Sequence, residues 1–229
     1  MLKDNWFIYD NIDNMSIKLA DDILNLAKKS IELNNKFRIV LAGGKSFINT
    51  YKILSKSASN WSKWHIYIGD ERCLQQGDKN RNDYLISKVW LNNGFIPKEN
   101  INFISAELDI ESAAFKYNNV LKKVLNFDLV LLGMGEDGHI ASIFPEMNEV
   151  DIKTGGCAYK TLKPFGNPLL KRFSLQEGVI HSAKKVVLTI SSEIKLQLLK
   201  DFMFMDDDSV PVVRLIKQHP NLVICKVFK

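Results

Sequence analysis

Hydrophobic residues along the chain fall into two kinds of segment that alternate with each other. Short runs of consecutive apolar residues are typical of strands buried on both faces of a parallel sheet. Longer segments with an apolar residue every three or four positions are typical of helices. Predicted strands cover residues 37–42, 64–68, 101–104, 127–132 and 186–190. Predicted helices cover residues 15–33, 48–54, 84–90, 110–125 and 192–204, and a short one passes through Val179 and Ile180.

Strands that alternate with helices predict an open, mostly parallel, doubly wound sheet with helices on both faces, a Rossmann-like α/β fold. Residues 6–9 and 222–228 are each predicted to form an edge strand. Loops are expected at residues 69–72 and 164–175. Residues 211–216 belong to a tail with no assigned secondary structure. The chain has 229 residues, enough for one large core, and we expect a single domain over residues 1–229.

Charge and composition argue against several classes of function. The net charge of +5 is modest and the lysines are scattered, so we expect no nucleic-acid partner. A mild positive potential instead suits a small anionic substrate. No segment has the apolar length of a signal-peptide core or a membrane span, so we expect a cytoplasmic protein with no membrane partner. Three widely spaced cysteines form no CxxC pair, which argues against a disulfide framework and a structural zinc site.

The most distinctive candidate site directly follows the predicted strand 127–132. Gly133, Gly135 and Gly138 let the backbone turn sharply and approach a ligand, and Asp137 and His139 lie on the same turn. Open α/β sheets bind their ligands at the carboxyl ends of the strands. A histidine at such an end is a candidate general base, because an imidazole titrates near neutral pH.

Two other predicted strands end in groups that suit an anion. The segment at residues 43–46, Gly-Gly-Lys-Ser, combines exposed N–H groups with a hydroxyl at a helix start. It is not a Walker A loop, and a glycine pair after a strand is more often just a turn. Asp70 and Arg72 follow the strand 64–68, and a guanidinium there can grip a phosphate or carboxylate with two N–H groups. An ion pair that only braces the loop is an equally good interpretation of Asp70.

A phosphate cradle beside a histidine base indicates acid–base chemistry on a phosphorylated metabolite. A nucleophilic triad is less well supported, since the sequence has no G-x-S-x-G elbow and Ser142 lacks a strand–turn–helix of its own. A metal site is also poorly supported, because no second histidine lies at ligand spacing from His139.

The segment at residues 131–145, LLGMGEDGHIASIFP, resembles the signature of the 6-phosphogluconolactonases. These enzymes hydrolyse 6-phosphoglucono-δ-lactone in the oxidative pentose phosphate pathway. Further segments resemble landmarks of that family in the same order: residues 43–46 its Gly-Gly-x-Thr/Ser loop, residues 70–72 its Asp-Glu-Arg motif, and Arg81-Asn82 its Ser-Asn pair. Pro168 followed by Arg172-Phe173-Ser174 resembles its Pro-x-x-Arg-x-Ser/Thr segment, and residues 192–195, Ser-Glu-Ile-Lys, resemble its Gly-x-x-Lys turn. The departures are Phe47 for proline, Cys73-Leu74 for Val-Pro and Arg81 for serine. They bear on contacts with the substrate rather than on the fold.

The resemblance implies a lactone hydrolase that needs no metal or organic cofactor. His139 would take a proton from the attacking water, and Asp137 would orient or charge the imidazole. Backbone N–H groups of the turn at 133–138, or a nearby cation, would stabilise the oxyanion. The implied substrate is a small phosphorylated sugar lactone, and we expect a monomer or a weak homodimer. The residues implied to bind this substrate are Gly43, Gly44, Ser46, Asp70, Arg72, Arg172 and Lys195.

Two other functions stay open. A glucosamine-6-phosphate deaminase/isomerase resembles this family in its Asp-Gly-His turn, but its pattern places a glutamate where this chain has Phe144. A non-catalytic regulator that binds a sugar phosphate would keep the anion cradle without needing the base. The presence of both Asp137 and His139 argues against this second reading.

Overall fold

A seven-stranded sheet forms the centre of the computed structural model, which describes residues 5–107, 110–124, 126–148, 152–154 and 156–227. The strands are, in chain order, β1 (Trp6–Tyr9), β2 (Phe37–Leu41), β3 (Trp64–Ile68), β4 (Asp70–Arg72), β5 (Ile101–Asn102), β6 (Leu129–Gly133), β7 (Ile152–Thr154), β8 (Ala158–Thr161), β9 (Arg172–Leu175), β10 (Val186–Ile190) and β11 (Leu222–Val227). The α-helices are α1 (Ile12–Asn34), α2 (Ile48–Leu54), α3 (Asn82–Val89), α4 (Ile110–Leu121), α5 (Glu177–His181), α6 (Glu193–Met205) and α7 (Pro211–Gln218).

The central sheet has the strand order β1-β11-β10-β6-β2-β3-β5, and every neighbouring pair in it is parallel. From β2 the chain proceeds to β3 and β5 on one side, whereas β6, β10 and β11 lie on the other. The loops that follow β2 and β6 therefore diverge, which opens a crevice between their carboxyl ends. The predicted α/β class and mostly parallel open sheet are confirmed.

Alternation along the strands divides the core into two layers, one on each face of the sheet. In β6, Val130 and Leu132 pack in one layer, and Leu129 and Leu131 pack in the other. The first layer contains apolar residues of α4, α6 and α7, whereas the second contains those of α1 and α2. Helices therefore cover both faces, and this explains why the strand sequences are apolar at successive positions.

The prediction that residues 222–228 form an edge strand is wrong for the part that the structure describes. β11 lies between β1 and β10, and Ile224 pairs with both Trp6 and Leu188. The charged residue of this strand, Lys226, is buried and places its ammonium 5.4 Å from the ring centroid of Trp6. A short amino-terminal strand, predicted as an edge, occupies the edge instead.

A second sheet, which the hydrophobic pattern does not predict, lies beyond the carboxyl ends of the central strands. It is antiparallel in the order β4-β9-β8-β7. The sequence favours loops at β4 and β9, because these buried strands are short and carry polar residues such as Asp70, Glu71 and Arg172. Their burial depends on partners far away in the sequence. Residues 211–216, which the pattern leaves unassigned, begin α7 with Pro211 in its first turn.

Within the described ranges, none of the helices combines the length and the apolar character that crossing a membrane requires.

Candidate active site

A cleft of about 630 Å³ lies where β2, β3, β6 and β10 end. Its walls include the loops after β2 and β6, which diverge at the crevice of the central sheet. The structure brings together at this cleft every residue that the sequence nominated for the site: Gly43, Gly44, Ser46, Asp70, Arg72, Asp137, His139, Arg172 and Lys195. The individual roles of these residues stay predictions.

The imidazole of His139 is paired with the carboxylate of Asp137. Nδ1 of His139 lies 2.6 Å from Oδ1 of Asp137, and the same oxygen accepts the backbone N–H of His139 at 3.1 Å. Burial acts to raise the pKa of Asp137, but the hydrogen bond and the charge of His139 outweigh it, so this pKa is lowered. An ionised Asp137 fixes the proton of a neutral imidazole on Nδ1, which leaves Nε2 as the proton acceptor.

Glycine is required on this turn because the backbone packs directly against neighbouring side chains. A Cβ at Gly135 would lie 2.1 Å from Nδ1 of His139. A Cβ at Gly138 would lie 2.3 Å from Val210, and Gly138 has a φ of +82°. The turn closes on itself through the N–H of Gly135, which donates to the carbonyl of His139 at 2.9 Å.

The glycine pair after β2 also allows close packing. Gly44 adopts a φ of +99°, and a Cβ at Gly43 would lie 1.8 Å from Oδ1 of Asn82. Ser46 exchanges a hydrogen bond of 3.0 Å with the hydroxyl of Ser191, which follows β10. The departure at Phe47 does not reach the cleft wall, because this side chain is buried in the core and stacks on a tyrosine of α2.

Asp70 and Arg72 extend from β3 into the second sheet. Asp70 accepts hydrogen bonds from the hydroxyl of Ser142 at 2.7 Å and from the amide of Asn82 at 3.3 Å. Arg72 donates from Nη1 to the carbonyl of Asn80, but its buried Nε has no hydrogen-bond partner among the described residues. A buried donor without a partner on a cleft wall is suited to an anion, since an unpaired buried polar group is costly.

Arg172 and Lys195 bring two more cations to the cleft. Arg172 is buried and donates to the carbonyls of Phe165 at 3.1 Å and of Pro168 at 2.9 Å. Burial lowers the pKa of Arg172, although an arginine stays protonated in proteins. Lys195 lies in the first turn of α6 and donates from Nζ to the carbonyl of Met134 at 2.8 Å.

The departure at Arg81 forms part of a buried ion network below the cleft. Its guanidinium donates to the carboxylates of Asp83 and Glu107 and to the carbonyl of Leu74, which belongs to another departure. Glu71 accepts the N–H groups of Arg72, Asn82 and Asp83 at 2.7–2.8 Å. Burial, followed by the charge of Asp83, raises the pKa of Glu71 to about 7. Arg81 thus lies at the base of the site rather than in it.

Sequence reasoning missed several residues that line the cleft or pack against its side chains. Asn82 was matched to a family landmark without being given a role. Its side chain packs against the backbone of Gly43 and donates a hydrogen bond to Asp70. Ser191 could have been found as the first hydroxyl after a predicted strand. Phe144 packs on His139, and no local pattern shows this. In the described part of the chain, no three His, Cys, Asp or Glu side chains are grouped as metal ligands.

Comparison with known proteins identifies the family. Residues 10–224 match the family described as glucosamine-6-phosphate isomerases/6-phosphogluconolactonase. A 6-phosphogluconolactonase of Thermotoga maritima is 29% identical over 81% of this chain and 83% of its own length. Another from Borreliella burgdorferi is 28% identical over 95% of this chain and 94% of its own.

A solved structure supports the same assignment. The crystal structure of a Thermotoga maritima 6-phosphogluconolactonase superimposes with a TM-score of 0.85 at 25% identity, and covers 98% of this chain and 99% of its own. The match to the family covers most of the described residues, including the glycine turns and the cationic residues of the cleft. The chain therefore belongs to the glucosamine-6-phosphate isomerase/6-phosphogluconolactonase family.

Proposed function

We propose that the protein hydrolyses 6-phospho-D-glucono-1,5-lactone to 6-phospho-D-gluconate, with His139 as the general base. The observation that carries this proposal is the Asp137–His139 pair, held at 2.6 Å, in the same cleft as the cationic side chains of Arg72, Arg172 and Lys195. The names of the relatives from Thermotoga maritima and Borreliella burgdorferi support the same reaction.

The phosphate of such a substrate needs cations and N–H donors at one end of the cleft. Arg72 and Arg172 supply the positive charge, and Ser46 supplies a hydroxyl beside the N–H groups of the loop after β2. Nε of Arg72, which has no hydrogen-bond partner in the described part of the chain, supports the binding of an anion at this wall. Substrate binding would therefore weaken as the salt concentration rises.

Hydrolysis then needs one proton transfer in each direction. Nε2 of His139 accepts a proton from a water molecule whose oxygen attacks the lactone carbonyl. The charge of Asp137 stabilises the imidazolium that forms. When the ring C–O bond breaks, the imidazolium returns the proton to the departing ring oxygen, and the carboxylic acid product ionises.

A cation is the better supported partner for the oxyanion. The N–H groups of Gly135 and Gly138 already donate to carbonyls within the turn, so they are not free for a ligand. The ammonium of Lys195 bonds the carbonyl of Met134 and keeps two further N–H donors. The aldose–ketose chemistry of a deaminase is less well supported, because a buried ring, Phe144, stands at the position of its glutamate.

The experiment is hydrolysis of freshly generated lactone, with a metal chelator present and spontaneous ring opening subtracted. The wild-type protein should accelerate hydrolysis, and His139→Ala should lower kcat by about 10²- to 10⁴-fold. Binding of 6-phosphogluconate should survive this change. His65→Ala, which changes a half-buried histidine within β3, is the matched control.

Two results would overturn the proposal. If the wild-type protein binds 6-phosphogluconate but does not accelerate hydrolysis, a non-catalytic regulator is the better interpretation. If His139→Ala and His65→Ala hydrolyse the lactone equally fast, His139 is not the base. A cytoplasmic location and a monomeric or weakly dimeric state remain predictions.

A further inference from the structure

We infer that Phe144 is a positioning residue that holds the imidazole of His139 in the orientation needed for proton transfer. This inference rests on the proposed function. Phe144 is 2% exposed, and its ring centroid lies 4.5 Å from that of His139 with a tilt of 43°. The imidazole itself is 27% exposed, so the phenyl ring covers part of a side chain that is otherwise open to the cleft.

The backbone between the two rings adopts a conformation that brings them together. Ile143 donates its N–H to the carbonyl of Ile140 at 2.9 Å, which closes a tight turn. Within this turn Ala141 has a φ of +49°, a left-handed conformation that disfavours a residue with a Cβ. The turn folds Phe144 back over His139. An energetically unfavourable conformation on the wall of a candidate site is consistent with a functional constraint.

Three other groups pack around the phenyl ring. The ring of Phe165 stacks on Phe144 with centroids 5.5 Å apart and an interplanar angle of 16°. A Cβ at Gly166 would lie 2.9 Å from Phe144, so the loop backbone also touches the ring. Arg172 lies with its guanidinium carbon 5.7 Å from the ring centroid of Phe144. These contacts leave Phe144 little freedom to move away from the imidazole.

The imidazole is consequently fixed on three sides. Asp137 holds Nδ1, the backbone of Gly135 lies against the ring edge, and Phe144 packs against the ring. The carboxylate alone permits rotation of the imidazole about its hydrogen bond. Phe144 restricts this rotation, and Nε2 is thereby kept in a constant orientation. A small displacement of a catalytic group can cost orders of magnitude in rate.

Binding of the phosphate by Arg172 depends less on Phe144 than the orientation of His139 does. Arg172 also contacts the phenyl ring, but hydrogen bonds to the carbonyls of Phe165 and Pro168 orient its guanidinium. Loss of the ring should therefore lower the rate of the chemical step more than it weakens binding of the phosphate. A purely structural role would instead lower the amount of folded protein and leave the kcat of the folded fraction unchanged.

The test compares Phe144→Leu with Phe127→Leu, the same change at a second phenylalanine that is also 2% exposed but lies before β6. Phe144→Leu should lower kcat for the lactone by about 10- to 100-fold and leave the Kd for 6-phosphogluconate within about threefold. Phe127→Leu should destabilise the protein but leave kcat within about twofold. Equal kcat values for the two folded variants would overturn the inference.

Two further measurements test the role of Phe144 if the first variant does not fold or the wild-type protein is inactive. If Phe144→Leu does not fold, Phe165→Leu removes only the outer ring of the stack, and an unchanged kcat in that variant would overturn the inference. If the wild-type protein does not hydrolyse the lactone, the proposed function fails separately. In that case nitrogen-15 NMR of the His139 imidazole decides, with His139→Ala used to assign the signal. The Nδ1–H resonance should broaden or shift in Phe144→Leu, and an unaltered resonance would contradict positioning.

Discussion

At the scale of single residues, the charge of Asp137 is the feature whose effect is easiest to isolate. Asp137→Asn keeps an oxygen for the bond to Nδ1 of His139 but removes the negative charge that stabilises an imidazolium. We expect kcat to fall by about 10²-fold, a value at the low end of the range for acid–base catalysis because this pair is partly exposed.

The control for this change is Glu146→Gln, which removes the same charge from an exposed residue a few positions away. Its kcat should equal that of the wild-type protein. An Asp137→Asn variant with unchanged kcat would show that the carboxylate has no part in the reaction.

The residues that could be predicted from the sequence are those whose role is local. Asp137 and His139 are two residues apart on one glycine turn, so their pairing follows from the spacing. The roles of Ser191 and Phe144 depend on contacts made by tertiary packing, with Ser46 at a separation of 145 residues and with a folded-back turn. Arg172 and Lys195 were identified by family resemblance, because each looks like an ordinary surface cation in the sequence.

At the scale of elements, the ion network around Arg81 joins the start of α3 to β4 and to the segment after β5. Arg81→Ser restores the residue usual in the family but leaves the buried carboxylates of Asp83 and Glu71 without their cation. Breaking a buried ion network by removing one partner costs about 3–5 kcal/mol. We expect a Tm lower by about 10 °C in thermal unfolding followed by circular dichroism.

The comparison for this variant is Arg38→Ser, which removes an equal charge from a half-buried position of β2. Its Tm should change much less. If both variants unfold at the same temperature as the wild-type protein, the network contributes nothing to stability and the departure at Arg81 has no structural consequence.

Long apolar elements were predictable, whereas short polar ones were not. The strands of the central sheet show consecutive apolar residues because helices cover both faces of the sheet. β4 and β9 pair through residues such as Asp70 with Ser174 and Arg72 with Arg172, which carry no apolar pattern. The second sheet places polar residues of these strands, Asp70, Arg72 and Arg172, at the cleft.

At the scale of the whole molecule, one ion pair joins elements that are distant in sequence. Both oxygens of Glu177, in α5, accept hydrogen bonds of 2.8–3.1 Å from Arg214 in α7. Arg214 also donates to the carbonyls of Asp208 and Ser209, so the pair fastens the segment before α7 to the core. Burial acts to raise the pKa of Glu177, but His181 and Arg214 outweigh it and lower this pKa to about 2.

This lowered pKa gives the stability of the fold a defined dependence on pH. A carboxylate whose pKa falls on folding stabilises the folded state fully above its ordinary value of 4.5, and this contribution is lost as the pH falls towards about 2. Glu177→Gln should therefore lower the free energy of unfolding by about 2 kcal/mol near neutral pH, a value reduced for solvent screening of a partly exposed pair. Urea unfolding from pH 7 to pH 3 should show this difference shrinking below pH 4.5, because protonation removes the charge of Glu177 in the wild-type protein. Glu32→Gln, at an exposed position of α1, should show no such convergence, and a constant difference for Glu177→Gln would rule out the ion pair as its cause.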